Sequence, residues 1–341
     1  MMNNLPIARG YLKFLDIKEG MLVIQGWILH PDIAMDSFKI AVDGNVIHEA
    51  PLIESVGIAK EFPFIKHAQR SKFKATVACE KKSGLFDIVI IGSKEGHEVA
   101  KLETWFSEDL RPDFDFPDVL KVRVANNAKK GFFSASSFTS FRNYFEQVQK
   151  HSKAGTINNM LDWGCGCGRL TVMFSRGTPI SEIYGCDIDK EAVAWCKENL
   201  EGNFDVIPLL PPTQYEDNFF DLVVSNSVLT HLTKDVQRKW LAEMQRIVAP
   251  GGLFIASVHG EFATYFRFRG EVSEPLMNDI NDETPDHNLD GILPNDYYRG
   301  TFQKRVYTER VFSEYFDVLD YIEAGALNFQ DLVVMRRPFA K

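Results

Sequence analysis

The chain has 341 residues, of which 45% are hydrophobic and 25% are charged. These fractions are those of ordinary soluble globular proteins, and they exclude a chain that is mainly disordered or coiled coil. At about 150 residues per domain, the length predicts two domains. The formal net charge of −9, from 38 basic and 47 acidic residues, argues against a nucleic-acid partner, because such a charge repels the phosphate backbone.

Apolar stretches, the N-terminus and the cysteines bear on where the protein is located. No apolar stretch approaches the roughly 20 residues that a membrane helix needs, so no membrane span is expected. The N-terminus lacks the basic start and the apolar centre of a signal peptide. The five cysteines are odd in number, and four of them lie between Cys165 and Cys196, which does not fit a disulfide framework. These features predict a protein of the reducing cytoplasm.

The first third of the chain is predicted to consist of short strands. Apolar residues alternate with polar ones, as at Phe73 and Ala75, and the dipeptide Asp43-Gly44 favours a tight hairpin turn. Several such strands, separated by turn residues, predict a small antiparallel β-sandwich of the immunoglobulin-like kind over residues 1–110. This accessory domain is expected to contact a glycan, another enzyme or a second copy of the chain.

Further along, the pattern changes to helices that alternate with strands. Apolar residues at helical spacing, including Trp240 and Met244, predict an amphipathic helix, and the short apolar segment 160–163 predicts a buried strand. Strand alternating with helix is typical of the α/β class. We therefore predict a doubly wound, mostly parallel sheet for a second domain over residues 111–341.

Glycines at alternate positions follow the strand 160–163 and precede a predicted helix, namely Gly164, Gly166 and Gly168. A loop of this kind turns sharply and lets a ligand approach the backbone closely. Arg169 stands where the dinucleotide fingerprint needs its last glycine, which argues against a nicotinamide dehydrogenase. The Gly-Lys-Ser/Thr ending of a P-loop is also missing.

Asp187 ends the next predicted strand, residues 182–186, about twenty residues beyond the loop. In a doubly wound sheet, a carboxylate at this place accepts hydrogen bonds from both hydroxyls of a ribose. Loop and acid together predict a ligand that contains a nucleoside but no diphosphate.

Four motifs in this order resemble those of class I S-adenosylmethionine-dependent methyltransferases: residues 161–168, 184–188, 218–224 and 249–253. The resemblance extends from Pro117 to the C-terminus. It implies a Rossmann-like sheet of seven mostly parallel strands, of which the last two are residues 316–322 and 331–336, one of them antiparallel. It also implies S-adenosyl-L-methionine as the cofactor.

The resemblance further implies which residues contact the cofactor. Gly164, Gly166 and Gly168 would border its methionine part, and Asp187 would hold its ribose. The candidate cofactor-binding residues are Asp162, Trp163, Gly164, Gly166, Gly168, Asp187, Ile188, Ser225 and Asn226. The acid that the family usually places near the adenine is missing from residues 206–212, so the adenine contact is not assigned.

Two histidines, His231 and His259, follow the fourth and fifth strands of the predicted sheet. Ligands of such sheets lie beyond the carboxyl ends of the strands, and an imidazole suits a base that takes a proton from a hydroxyl. Both are therefore candidate catalytic residues. The alternatives are that His231 packs behind the cofactor and that His259 closes a turn.

Residues 261–305 are predicted to form a lid on the acceptor side, because aromatic and arginine side chains are frequent there; a surface excursion is the alternative. The acids of this insert, Asp282 and Asp286 among them, match no calcium loop and are assigned to a solvated face. Cys165 and Cys167 do not have the spacing of a zinc site and are assigned as small fillers. No metal is expected.

The resemblance implies methyl transfer to a hydroxyl of a small acceptor. Residues 227–232 and 330–333, and the β-domain with residues 26–29, resemble enzymes of bacterial surface-glycan biosynthesis, which favours a sugar of a polysaccharide pathway. The alternatives are N- or O-methylation of a small molecule outside glycan metabolism and a non-catalytic scaffold that binds the cofactor. The expected partners are a small-molecule or glycan acceptor and, at the N-terminal domain, a homo-oligomer or a docking protein.

Overall fold

The computed structural model describes residues 8–79, 84–152, 156–287, 289, 294 and 297–339. The chain divides into two compact units. The first comprises the residues up to Asp115 together with Asn127–Arg142 and Leu327–Phe329, and the second comprises Phe116–Asn126, Asn143–Ala326 and the residues from Gln330 onward. Asn127–Arg142 and Leu327–Phe329 therefore belong to the first unit although they lie beyond residue 111. No single boundary in the sequence separates the two units.

The N-terminal elements of the first unit are strands and one short helix. They are β1 (Arg9–Lys18), β2 (Met21–Leu29), β3 (Ser37–Val42), β4 (Asn45–Pro51), β5 (Ile53–Glu54), α1 (Val56–Glu61), β6 (Arg70–Ala78), β7 (Phe86–Lys94) and β8 (His97–Phe106). The strands form two antiparallel sheets of four strands, in the orders β1-β2-β6-β5 and β4-β3-β7-β8. Asp43 and Gly44 form the two-residue turn of the β3–β4 hairpin, in which Val42 pairs with Asn45, as the dipeptide predicts. Phe38 and Phe73, one from each sheet, meet with ring centres 5.6 Å apart.

The remaining elements alternate between helix and strand. They are α2 (Asp118–Ala125), α3 (Lys130–His151), β9 (Asn159–Trp163), α4 (Arg169–Gly177), β10 (Glu182–Asp187), α5 (Lys190–Asn199), β11 (Asn203–Val206), β12 (Phe220–Ser225), a 3₁₀ turn (Leu229–His231), α6 (Lys234–Ile247), β13 (Val248–Val258), α7 (Glu261–Arg267), β14 (Ile280–Pro285), β15 (Arg299–Gln303), α8 (Arg305–Phe312), β16 (Asp317–Ala326) and β17 (Gln330–Arg336). Seven of the strands form one sheet in the order β11-β10-β9-β12-β13-β17-β16. Of these, β17 runs antiparallel to both of its neighbours. The prediction of a seven-stranded, mostly parallel sheet is confirmed.

The chain order of the sheet reverses between β9 and β12. From β9 the chain continues to β10 on one side, and it later returns to β12 on the other side. In open α/β sheets, ligands bind in the crevice beyond the carboxyl ends of the strands at such a reversal. The residues that follow β9 and β12 therefore border the expected ligand site.

The core of the second unit lies between this sheet and the helices that cover it. The predicted stripe of α6 is buried, with Trp240, Leu241 and Met244 at 1% exposure or less. Trp240 packs on Trp163 of β9 with ring centres 5.0 Å apart. Across the described part of the chain, no helix has both the length and the apolar character to cross a membrane.

The insert after β13 contains regular structure that the sequence did not predict. It comprises α7 and a two-stranded antiparallel hairpin of β14 and β15. A parallel bridge joins Phe302 of β15 to His259, directly after β13. The insert is thereby attached to the edge of the sheet where ligands are expected.

A close approach of two strands in the first unit gives a stability prediction. A Cβ atom on Gly26 would overlap the backbone carbonyl of Tyr11 and the ring of Phe73. Because the carbonyl belongs to the backbone, it cannot rotate away, and Gly26→Ala is expected to lower the free energy of unfolding by about 1–3 kcal/mol. Urea unfolding followed by circular dichroism measures this loss.

Gly57→Ala is the matched control, because a Cβ there meets nothing closer than 3.9 Å. This helical substitution is expected to leave stability unchanged or to raise it by about 0.5–1 kcal/mol. Equal effects of the two substitutions would contradict the proposed overlap at Gly26.

Candidate active site

The glycine loop between β9 and α4 needs glycine for two separate reasons. Gly164, Gly166 and Gly168 all have positive φ angles, of 80°, 54° and 77°, a region that other residues rarely adopt. A Cβ on Gly164 would also overlap a methyl group of Val228, and one on Gly168 would overlap the side chain of Leu200. The loop therefore passes close beneath the segment that follows β12.

Asp187, at the carboxyl end of β10, holds this loop in place. Its Oδ2 accepts a hydrogen bond from the backbone N–H of Gly166 at 2.7 Å, and its Oδ1 accepts one from Asp189 at 2.9 Å. Burial raises the pKa of the Asp187 carboxyl, and the backbone hydrogen bonds oppose that shift. A carboxylate offers about four lone-pair sites, so Asp187 retains acceptor capacity for two hydroxyl groups.

The two predicted cofactor contacts on β9 are buried. Asp162 accepts a hydrogen bond from the hydroxyl of Thr171 in α4 at 2.6 Å. Burial raises the pKa of Asp162 to about 6. Trp163 is 2% exposed and faces the core, which leaves its backbone rather than its indole for a ligand. Ile188, after β10, packs against the same core.

The end of β12 places the remaining predicted cofactor residues beside the glycine loop. The hydroxyl of Tyr144 donates to the carbonyl of Ser225 at 2.8 Å and lies 3.4 Å from Oδ1 of Asn226. The hydroxyl oxygen of Ser225 is buried and has no hydrogen-bond partner among the described residues. A buried hydroxyl without a protein partner is able to bond to a ligand at this strand end. Tyr144 was not predicted, because the sequence shows it only as one aromatic residue of a helix.

His231 and His259 lie together, with ring centres 6.2 Å apart. Their Nδ1 atoms face the backbone carbonyls of two residues of β15, Arg299 and Thr301, each at 3.2 Å. Because a carbonyl only accepts hydrogen bonds, each Nδ1 carries a hydrogen and donates it to β15. Two imidazole rings, both oriented by β15, thus share one edge of the sheet.

Two further residues of the insert contact His231. The carboxylate of Asp286 lies 3.3 Å from Nδ1 of His231, and the ring of Tyr298 stacks on the imidazole with centres 4.0 Å apart. The assignment of Asp286 to a solvated face is wrong, since its side chain is 18% exposed. Burial, followed by the charges of Asp286 and Asp187, raises the pKa of Tyr298. Tyr298 therefore lies within the electrostatic field of both carboxylates.

Other contacts tie the insert to the loops around the site. The hydroxyl of Tyr297 donates to the carbonyl of Leu209 at 2.5 Å, in the segment that follows β11. Asp282 of β14 accepts from the backbone N–H of Lys234 at 2.9 Å, where α6 begins. The insert thus contacts the segments that follow β11 and β12.

The cysteines around the glycine loop are buried free thiols. Burial raises the pKa of Cys167 to about 12, so its thiol stays protonated and is a poor metal ligand or nucleophile. Among the described residues there is no group of three or more His, Cys, Asp or Glu side chains that could hold a metal ion.

Comparison with known proteins shows what the part of the chain around this site is similar to. Residues 161–256 match the family model described as methyltransferase domain. An uncharacterized methyltransferase of Schizosaccharomyces pombe is 34% identical over 109 residues, which are 28% of this chain and 37% of that protein. The tRNA (carboxymethyluridine(34)-5-O)-methyltransferase of Arabidopsis thaliana is 25% identical over 172 residues, or 50% of this chain and 40% of that protein. The match therefore spans about two fifths of these relatives.

Solved structures of methyltransferases are also similar. Human N-acetylserotonin methyltransferase in complex with S-adenosylmethionine matches with a TM-score of 0.44 and 16% identity, over 64% of this chain and 56% of that one. Residues 161–256 of this chain thus match a methyltransferase domain, and their strands belong to the seven-stranded sheet.

The buried carboxylate of Asp162 predicts a pH-dependent stability. Its pKa rises from 3.8 to about 6 on folding, so the stabilising contribution of the protonated form is complete below pH 3.8 and is lost as the pH rises through 6. Asp162→Asn stays neutral and avoids this loss. Its free energy of unfolding is expected to exceed that of the wild type by up to about 3 kcal/mol at pH 7.5 but not at pH 4.

Thermal unfolding at several pH values measures this difference. The exposed Asp317, at the start of β16, supplies the control Asp317→Asn, which is expected to show no gain that grows with pH. A constant difference between Asp162→Asn and the wild type across pH 4–7.5 would show that the charge of Asp162 is not the cause.

Proposed function

We propose that this chain is an S-adenosylmethionine-dependent O-methyltransferase that acts on a hydroxyl group. The observation that carries the proposal is the position of His231, whose Nδ1 faces the Arg299 carbonyl, beside the glycine loop of a methyltransferase domain. His231 follows Val228 by three residues, and Val228 covers Gly164. A base at this place can accept the proton of a hydroxyl that is being methylated.

The residues of the glycine loop and its surroundings fit the cofactor. The loop is a cradle that side chains would fill, Asp187 retains acceptor sites for a ribose, and the orphaned hydroxyl of Ser225 lies at the adjoining strand end. We assign ribose binding to Asp187 and methionine binding to the loop. Asp162, Trp163, Ile188 and Asn226 complete the proposed cofactor site.

The neighbours of His231 support its role as the base. The cofactor supplies an electrophilic methyl group on a sulfonium, which the acceptor oxygen attacks. The Arg299 carbonyl and the Asp286 carboxylate both face Nδ1 of His231, which orients the ring and stabilises the positive charge that it gains with the proton. We assign His259, whose ring centre lies 6.2 Å from that of His231, to acceptor binding, with catalysis as the alternative.

A sugar hydroxyl in polysaccharide or glycan biosynthesis is the proposed acceptor. Support comes from the polar character of the site and from the motif resemblance of residues 227–232. N- or O-methylation of another small molecule is the second candidate. The Arabidopsis relative is named for a tRNA, but the net charge of −9 disfavours a polyanionic acceptor here.

For the N-terminal part we propose an accessory β-sandwich over residues 1–110, beside a catalytic domain over residues 111–341 with its lid at 261–305. The contact between Phe38 and Phe73 supports a face-to-face packing of the two sheets. Such a domain would dock a partner or a second copy of the chain. The cytoplasm is the proposed location.

Cofactor binding is tested by calorimetric titration with S-adenosylhomocysteine. Asp187→Asn is expected to weaken binding by about 10- to 100-fold, because hydrogen bonds to a charged acceptor contribute about 1.5–3 kcal/mol each. Asp205→Asn, on the neighbouring strand β11, is the matched control and is expected to bind like the wild type. No binding by the wild type at millimolar ligand would overturn the proposed cofactor site.

The base is tested by turnover of an accepted hydroxyl substrate with radiolabelled S-adenosylmethionine. His231→Gln is expected to lower kcat by about 10²–10⁴-fold, with the Kd for S-adenosylhomocysteine within about twofold of the wild type. Asp286→Asn is expected to lower kcat by about tenfold without raising the KM for the cofactor, since the Arg299 carbonyl still orients the ring.

Asp282→Asn is the matched control, because Asp282 lies on β14 of the same hairpin and contacts Lys234 instead of His231. Asp286→Glu is expected to restore part of the activity. If His231→Gln lost cofactor binding, the role of His231 would be structural.

A further inference from the structure

We propose that Arg123 and Val124, two neighbouring residues of α2, are positioning residues for Asp187, the proposed ribose-binding carboxylate. This inference rests on the proposed function and adds the element that keeps the cofactor site in its binding conformation. It follows from the contacts of α2 with the two segments whose backbone N–H groups donate to Asp187.

The carboxylate of Asp187 is held by donors from two separate segments. One is the N–H of Gly166 in the glycine loop, at 2.7 Å, and the other is the N–H of Asp189, at 2.9 Å. Neither donor lies within β10, the strand that ends in Asp187. The direction of the carboxylate therefore depends on what fixes these two segments.

Arg123 fixes the segment that follows Asp187. Its Nη1 lies 2.9 Å from Oδ2 of Asp189, and its Nη2 lies 2.7 Å from the carboxylate of Glu191. Oδ1 of Asp189 accepts from two backbone N–H groups in the first turn of α5. The side chains of Arg123 and Asp189 are 18% and 9% exposed, so water and salt screen their attraction less than that of a surface pair. The guanidinium thus joins α2 to the start of α5, beside Asp187.

Val124 contacts the glycine loop. Its Cγ2 lies 2.6 Å from the position that a Cβ atom on Gly166 would take, so its methyl group fills the space beside this glycine. Glycine loses more conformational freedom on ordering than any other residue. A side chain that packs on a loop with three glycines therefore lowers the cost of holding this loop in one conformation when a ligand binds.

An aromatic contact anchors the other end of α2. The ring of Phe116, two residues before the helix, lies 5.2 Å from the ring of Trp195 in α5, a distance at which aromatic pairs attract each other. The helix is thus attached to α5 near both of its ends and packs on the glycine loop through Val124. Because docking of α2 and binding of a ribose depend on the same two donors, each is expected to favour the other.

The test is a double-mutant cycle on the affinity of the full chain for S-adenosylhomocysteine, measured by calorimetry. Arg123→Met keeps the aliphatic stem and removes the guanidinium, and it is expected to weaken binding by about 5- to 10-fold. In the Asp187→Asn background, the same substitution is expected to change the Kd by less than about twofold, because its effect acts through that carboxylate. Arg123→Lys keeps the charge and is expected to restore part of the affinity.

Matched substitutions separate this role from a general loss of stability. Arg238→Met breaks a comparable ion pair with Glu314 on α6, and it is expected to bind S-adenosylhomocysteine like the wild type. Val124→Ala is expected to weaken binding by about threefold. Val122→Ala, at a position of the same helix that is 45% exposed, is expected to leave the affinity unchanged.

Amide hydrogen exchange supplies a readout that needs no turnover. Saturating S-adenosylhomocysteine is expected to slow exchange of residues 122–125 in the wild type by at least about threefold, because the bound ligand favours the docked helix. In Arg123→Met this protection is expected to be smaller. Exchange of α2 that does not respond to the ligand in the wild type would overturn the positioning role.

The two proposals fail in different ways. If the wild type binds S-adenosylhomocysteine but Arg123→Met binds it equally well, the positioning role is wrong and the cofactor site stands. The same conclusion follows if Arg123→Met loses as much affinity in the Asp187→Asn background as in the wild type. If the wild type does not bind the ligand, the proposed function itself fails.

Discussion

The hydrogen bond from the Gly166 N–H to the Asp187 carboxylate is the contact on which the rest of the site depends. It joins the loop after β9 to the end of β10, and it keeps the loop in a conformation that only glycine adopts readily. A methyl group of Val228 then packs against Gly164, in the space that a Cβ atom would occupy. That contact brings the segment after β12, with Ser227 and His231, next to the loop. Proposed cofactor and acceptor residues thus share one edge of the sheet.

The insert, residues 261–305, does more than cover the edge of the sheet at which the site lies. Successive residues of a strand alternate in direction, so the carbonyls of Arg299 and Thr301 point to the same side of β15. These two carbonyls face His231 and His259, which come from the ends of two different strands. One short strand therefore orients both imidazoles. On the proposed mechanism, a displacement of β15 would remove the acceptors that hold the two rings in their present orientation.

The parts of the structure that the sequence predicted are those encoded by local patterns. The alternating glycines, the acid at the end of the next strand and the helical stripe with Trp240 each lie within one or two elements, so spacing alone was sufficient. Asp286 was assigned wrongly because its partner, His231, is distant in the chain and no local period links them. The β14–β15 hairpin was missed for a related reason, since its strands are polar and its pairing is anchored at His259. The orphaned hydroxyl of Ser225 becomes visible only once its surroundings are folded.

Two buried carboxyl groups, Asp162 and Asp187, lower the free energy of unfolding when they ionise at this site. Burial raises the pKa of both Asp162 and Asp187, and the charge of Asp187 adds to the shift at Asp162. Each carboxylate therefore costs folding free energy when it ionises near neutral pH. On the proposed assignment, the two carboxylates border a cofactor whose sulfonium and ammonium groups are positive, and this charge offsets their mutual repulsion. Methyl transfer removes the sulfonium charge but leaves both carboxylates in place. The same pair of acids would therefore hold the methyl donor more strongly than the demethylated product, which favours product release.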